Sequence, residues 1–349
     1  MSKLNVLIFG ATGYIGIQLV KLLLNHKNVK IKYLCGSSSI GKNISNYDRN
    51  LKKKKLPKII KFKKEFLKDI DIVFTALPNG EAQKISNLLL KKNTLIDLSA
   101  DFRLNKANSY FKWYKIKHLS VNNIKNSIYA LPEIKRKIIK RYKIIACPGC
   151  YPTSILLPLV PILKKRLIDS KNIIIDSKSG YSGAGRGVHK KYAKKNLYES
   201  LSAYGVALHR HNSEIQQELN LQTGLSTDFS FTPHLSPMFR GILSTIYVDL
   251  KKNKSISKII SALKSFYKKE KFVKILKKDS LLSTNDVINT NYCYISVCRS
   301  KFKNKIIILS AIDNLIKGGA GQAVQNMNIK FNLDQSKGLK WKNLFFCYF

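Results

Sequence analysis

Along the first hundred residues, short apolar runs, turns and amphipathic stretches recur in a fixed order. Residues 5–9 are mostly apolar and predict a strand, Gly10-Ala-Thr-Gly-Tyr-Ile-Gly16 reads as a tight turn, and residues 17–25 place apolar side chains on one helical face. Residues 30–35, 71–76 and 94–98 predict further strands, with a helical pattern over 80–91 before the last of them. Strands alternating with helices imply α/β architecture around a parallel, doubly wound sheet. From about residue 148 the texture changes. Residues 172–177, 243–250, 292–297 and 305–311 are β-rich and closely spaced, which predicts a mixed sheet with flanking helices. The expected organisation is a Rossmann-type dinucleotide-binding domain over 1–147 and an α+β domain over 148–313, with the helical pattern of 314–349 packing back to complete the first.

A chain of 349 residues suits about two domains of ~150 residues each. Its 44% hydrophobic and 10% aromatic content excludes a disordered protein despite 63 Lys and Arg against 20 Asp and Glu, a net charge of +43. Such a charge invites a nucleic-acid reading. Only nine of the basic residues are Arg, whereas nucleic-acid interfaces favour the planar guanidinium. The lysines are scattered, and the densest run, Lys52 to Lys55, reads as a solvated loop. Lys, Asn, Ile and Tyr are all abundant and all have A/T-rich codons, so compositional drift accounts for the excess. Nucleic acid is therefore not an expected partner. The cysteines at 35, 147, 150, 293, 298 and 347 lack a disulfide-framework spacing, and nothing completes a metal site around Cys147 and Cys150, so no metal is expected. The longest apolar stretch, residues 155–163, contains Pro158 and Pro161 and falls short of a membrane span. Lys3 leads directly into the first strand with no targeting pattern, so a cytoplasmic location is expected.

Three segments carry candidate chemistry. Gly10, Gly13 and Gly16, with Ala11, Thr12, Tyr14 and Ile15 between them, let a backbone come close to a pyrophosphate at a helix N-terminus. At the end of the second predicted strand, where an NAD site usually has Asp or Glu, the chain has Ser37, Ser38 and Ser39 with Lys42 nearby. Hydroxyls and a cation suit a 2′-phosphate and hence NADP(H), although a polar loop with incidental serines also fits. Cys150 stands where a helix is predicted to begin, with Pro152 suited to its first turn, so unpaired N–H groups would favour its thiolate. A small buried residue is the alternative. His209 and His211 offer an imidazole as acid and base, and Glu214 lies three residues beyond His211, where a helix would bring it back to orient the ring.

The order of motifs resembles one family over nearly the whole chain. Beside the glycine turn and Pro148-Gly-Cys-Tyr-Pro-Thr153 stand Ile96-Asp-Leu-Ser-Ala-Asp-Phe-Arg-Leu104, Leu131-Pro-Glu133, Ser179-Gly-Tyr-Ser-Gly-Ala-Gly-Arg186 and His209-Arg-His211. Pro233-His-Leu-Ser-Pro-Met-Phe-Arg-Gly241 and Asp313-Asn-Leu-Ile-Lys-Gly-Gly-Ala-Gly-Gln322 follow. Together they resemble the N-acetyl-γ-glutamyl-phosphate reductases of arginine biosynthesis, within the semialdehyde dehydrogenase superfamily. Departures are Ala130, Cys147, Tyr181 and Gly319, where the family usually has Gly, Asn, Val and Ala; Cys147 raises the question of a disulfide with Cys150 under oxidation. The resemblance implies NADPH-dependent reduction of N-acetyl-glutamyl 5-phosphate through a Cys150 thioester. It implies His211 as acid/base with His209 as fallback. It places Arg103, Ser182, Arg186 and Arg240 at substrate-binding positions, with a surface ion pair the alternative for the arginines and an equal one for Arg240. It makes Asn314, Lys317 and Gly318 a second cofactor contact, for which a helix cap is the alternative. It further implies that 148–313 carries catalysis and dimerisation, in a homodimer or homotetramer. Aspartate-semialdehyde dehydrogenase, with the same chemistry, is the alternative enzyme; a basic nucleic-acid-binding protein on the same fold is the alternative outside enzymology.

Overall fold

The computed structural model describes residues 3–187 and 198–339; the end of the expected C-terminal segment, with Cys347, lies outside the described residues. The first sheet contains β1 (Leu4–Phe9), β2 (Val29–Cys35), β3 (Ile59–Ile60), β4 (Ile72–Thr75), β5 (Thr94–Asp97), β6 (Ser127–Tyr129) and β7 (Ile144–Ala146). Their order is β3-β2-β1-β4-β5-β7-β6, all parallel. β4 and β5 are buried at every position, as a parallel sheet covered on both faces demands. Its helices are α1 (Tyr14–Leu24), α2 (Glu81–Ser86), α3 (Ala107–Tyr114), α4 (Val121–Ile124) and α5 (Pro132–Ile139). The helix expected over 80–91 stops at Ser86. Asn93 explains the early stop: its Oδ1 accepts from Leu90 N while its Nδ2 donates to the carbonyls of Leu67 and Ile70, drawing the chain into β5.

The second sheet is mixed, with β8 (Ile173–Gly180), β9 (Ser202–Ala203), β10 (Phe229–Ser236), β11 (Ile242–Asp249), β12 (Val273–Ile275), β13 (Cys293–Arg299) and β14 (Lys305–Ile312) in the order β12-β13-β14-β11-β8-β10-β9. The pairs β8/β10 and β12/β13 are parallel and the rest antiparallel. No strand was expected at β10, which contains Pro233. Among the described residues only the two-residue β9 lies beyond it, so the missing N–H costs little there.

Helices α6 (Cys150–Lys164), α7 (His211–Thr223), α8 (Ile256–Phe266) and α9 (Gly321–Lys330) complete the fold. Inward residues Ile173, Ile175, Ile242, Ile246 and Val248 form one core with the buried flank of α6. α6 runs through both Pro158 and Pro161. Pro161 has no N–H for the carbonyl of Leu157, and the hydroxyl of Tyr267 donates to that carbonyl instead at 2.6 Å. α9 follows a π-helical turn (Ile316–Ala320) and packs on α1 and α5, joining the end of the described chain to the first sheet. Among the described residues no helix is long and apolar enough to cross a membrane.

Candidate active site

The turn after β1 needs its glycines. Gly10 has φ +73°, and a Cβ there would lie 2.2 Å from Ala76 O; one on Gly16 would lie 2.2 Å from Gly10 O. β1, the turn and α1 therefore come closer than any side chain permits. Gly13 caps α1 with no side-chain hydrogen bond, leaving the first N–H groups of the helix for an anion. The residues fit a dinucleotide pyrophosphate. Thr12 to Gly16 line a cleft of about 350 Å³ that also holds Arg103, Cys150, Ser182, Arg186, Arg210, His211, Asn314 and Gly318.

Cys150 is the first residue of α6 and half-buried. Burial pushes its thiol up to about 11, Arg103 and the N–H of Tyr151 pull it down less, and Glu214 adds to the rise. The thiolate expected from the helix N-terminus alone is thus not the resting form: desolvation outweighs the dipole, and a base must take the proton. His211, the first residue of α7, is placed to do so. Its ring reaches so near the residue before Cys150 that a Cβ on Gly149 would lie 2.6 Å from His211 Nε2. Burial, then His209, Arg103 and Arg210, hold the imidazole well below its ordinary range, so it is neutral near pH 7. Nδ1 is buried without a hydrogen-bond partner among the described residues, and Nε2 lies 3.7 Å from Glu214 Oε1.

Glu214 gathers this centre. Its carboxylate accepts from Arg103 NH1 at 3.0 Å, Gly149 N at 3.0 Å and Tyr129 OH at 3.2 Å, with Tyr114 OH at 3.5 Å. Arg103 also donates to Cys147 O (2.8 Å) and Leu98 O (3.1 Å), three of its five N–H groups in all, leaving one on each terminal nitrogen. His209 lies behind the cleft among Tyr151, Tyr204 and Phe231, and its Nδ1 accepts from His211 N at 3.2 Å. Burial and Arg210 hold it down at about 4. Of the two histidines the structure brings only His211 into the cleft. Cys147 is buried with its Sγ 3.7 Å from Asn326 Nδ2, and burial raises its thiol to about 12.

Other expected residues fall differently. Ser182 and Asn314 meet in the cleft, Asn314 Nδ2 donating to Ser182 Oγ at 3.0 Å. Arg240 is buried away from the cleft, its Nε 2.9 Å from Asp313 Oδ2 and its NH1 on Asn289, so its charge is spent within the protein and not on a substrate. Lys317 also differs from the expectation: its side chain is fully buried, pairs with Glu133 and does not line the cleft. Arg186 reaches the glycine turn, donating to Thr12 O at 2.7 Å and stacking on Tyr14. Ser39 is buried and accepts from Tyr47 OH, leaving Ser37 and Ser38 exposed. Ser37 shares a pocket with Lys61, Glu81 and Leu77, and Leu77 also lines the cleft; exposed Lys42 lines neither. Arg210 and Tyr129 carried no expectation. Arg210 was legible as the cation between two histidines, whereas only tertiary folding brings Tyr129 to Glu214. No group of three or more potential metal ligands occurs among the described residues.

Cleft, cysteine, imidazole and glycine turn define an oxidoreductase of the semialdehyde dehydrogenase class. Residues 5–142 match the family described as semialdehyde dehydrogenase, NAD binding domain, and residues 150–314 match semialdehyde dehydrogenase, dimerisation domain. An N-acetyl-gamma-glutamyl-phosphate reductase of Desulforamulus reducens is 43% identical over 351 residues, covering 98% of this chain and 99% of its own. A probable chloroplastic N-acetyl-gamma-glutamyl-phosphate reductase of Arabidopsis thaliana is 41% identical, covering 99% of this chain and 86% of its own. The chain belongs to the N-acetyl-gamma-glutamyl-phosphate reductase family. The fold is also that of aspartate semialdehyde dehydrogenase II from Vibrio cholerae, complexed with ASA (TM-score 0.70, 17% identity, 95% of this chain and 99% of that one). The aspartate semialdehyde dehydrogenase of Candida albicans with NADP superposes likewise (TM-score 0.68, 17% identity, 94% and 98%).

Proposed function

We propose that the chain reduces N-acetyl-glutamyl 5-phosphate to the 5-semialdehyde, releasing phosphate, with NADPH as cofactor. The observation that carries this reading is the single cleft shared by Cys150, neutral His211, Arg103 and the glycine turn. His211 takes the Cys150 proton, and the sulfur bonds to the acyl carbon as the bond to phosphate oxygen breaks. The same proton passes to the departing phosphate. The free N–H groups of Arg103, with Arg210 at the cleft, hold the phosphoryl group, and the N-terminus of α6 faces the developing oxyanion. Glu214 keeps Arg103 and the Gly149 backbone in register with the thiol. Reduced nicotinamide, when bound, would supply a hydride to the thioester carbon; the carbon–sulfur bond then breaks, the aldehyde leaves and Cys150 is returned as thiolate, to be reprotonated before the next turnover.

The first turn of α1 would hold the pyrophosphate, with Arg186, Asn314 and Gly318 of the same cleft as further cofactor contacts. Ser37 with Lys61, in place of Lys42, suits a 2′-phosphate. We assign 1–147 with the C-terminal segment to the cofactor and 148–313 to catalysis and dimerisation, in a cytoplasmic enzyme. The outer face of the second sheet carries Ile174, Tyr247, Ile307 and Leu309, which no helix among the described residues covers; it is the surface proposed to pair two copies. The deciding assay runs the reverse reaction: phosphate-dependent NADP reduction with N-acetyl-glutamate semialdehyde is expected, with little from aspartate semialdehyde. The opposite preference overturns the substrate assignment.

A further inference from the structure

Lys317 is the one lysine below a tenth exposed among the described residues, and its partner Glu133 is closed off with it. Nζ donates to Glu133 Oε1 at 2.5 Å and to Gln325 Oε1 at 3.0 Å. Gln325 Nε2 donates to the same Glu133 oxygen at 2.9 Å and to Gln335, and Asn291 donates to Gln325. Burying two charges is unfavourable, and an apolar pair of the same volume often serves stability as well or better. The location suggests what else the pair does. Lys317 lies in the π turn 316–320, and such turns recur at functional sites. Asn314, Leu315, Gly318 and Gly319 face the cleft, while Lys317 faces back into the protein. A Cβ on Gly318 would lie 2.6 Å from Cys150 Cβ and 3.0 Å from its Cα, so the turn's backbone is the wall against which the cysteine rests. Gln322 Nε2 ties Lys317 O (3.2 Å) to Thr153 Oγ1 of α6 (3.1 Å), coupling turn to helix.

We propose that the Lys317–Glu133 ion pair is a positioning device: it pulls the 316–320 turn from behind so that Gly318 fixes the orientation of Cys150 in the cleft. This rests on the reading of Cys150 as the nucleophile. The test compares wild type with Lys317→Met, which keeps the side chain's length beside Phe272, and with Lys317→Met/Glu133→Gln, which leaves no lone buried charge. Three measurements are made on each: kcat and KM, the rate of Cys150 alkylation by iodoacetamide followed by peptide mass spectrometry, and urea unfolding. A loose turn misplaces the sulfur, so kcat falls by about 10²-fold while KM for both substrates is nearly unchanged. Cys150 alkylation changes in parallel, and the double variant stays slow although its unfolding midpoint returns towards wild type. If Lys317→Met does not fold, the double variant carries the test. A double variant with wild-type kcat and wild-type alkylation overturns the proposal, as does lost turnover with unchanged alkylation. Altered alkylation with unchanged turnover keeps the positioning and removes the nucleophile assignment.

Discussion

At the scale of single residues, the site depends on an imidazole that burial keeps neutral and a thiol that burial keeps protonated. His211→Gln is expected to lower kcat by about 10² to 10⁴, the usual reach of general acid/base catalysis. His209→Gln should cost far less, because that ring stands outside the cleft. The pH dependence has a definite sign. The folded pKa of His211 lies well below its unfolded value near 6.5, so the working, neutral form persists as pH falls, and the acid limb of kcat/KM lies below the ordinary histidine range. Below about 6.5 the unfolded chain binds a proton that the folded chain refuses, so this group's effect on stability turns unfavourable as pH drops. A pH–rate profile of wild type with its acid limb at or above 6.5 removes His211 as the base. The sequence made Cys150, His211 and Arg103 legible, because their motifs carry their chemistry in residue type and spacing. It misled at Lys317, where a cation in a glycine-rich motif reads as a cofactor contact; at Arg240 an ion-pair member stood beside the anion holder, and the ion pair is what forms. Whether a guanidinium or ammonium faces ligand or a buried carboxylate is decided by folding, which brought Asp313 and Glu133 to them.

At the scale of elements, strands long enough to show an apolar run or an alternation were legible and those with few or atypical residues were not. β3 and β9 have two residues each, too few for a period, and Pro233 disguised β10. α6 is the instructive helix, since the proposed nucleophile stands at its N-terminus while two prolines argue against its middle. At Pro161 tertiary structure meets the conflict by giving the carbonyl of Leu157 a hydroxyl donor from beyond α8. Tyr267→Phe removes that donor and leaves the carbonyl buried and unpaired, at a cost of about 1–3 kcal/mol. Urea unfolding should show the loss while kcat stays near wild type, because Leu157 lies two turns from Cys150. An unchanged midpoint would show that the carbonyl finds another partner.

At the scale of the whole molecule, the net charge of +43 meets the proposal that two copies pair. The described lysines are almost all at the surface, as in Lys52 to Lys55, so two copies repel at long range. Against that repulsion stands the outer face of the second sheet, where Ile174 is half exposed and lies opposite Tyr247, and Tyr247 lies opposite Ile307. Apolar burial is insensitive to moderate salt, whereas repulsion between surface charges is screened over about 8–10 Å at physiological ionic strength. Pairing should therefore tighten as salt rises from about 10 to 150 mM, a range in which the Debye length falls about fourfold. Nucleic-acid binding has the opposite dependence, weakening as counterions compete for phosphate. Light scattering after size exclusion should show dimer mass increasing with salt for wild type. Leu309→Asp, which sets a carboxylate in the middle of the outer face, should remain a monomer at every salt concentration. A variant that still pairs like wild type would place the interface elsewhere on the molecule.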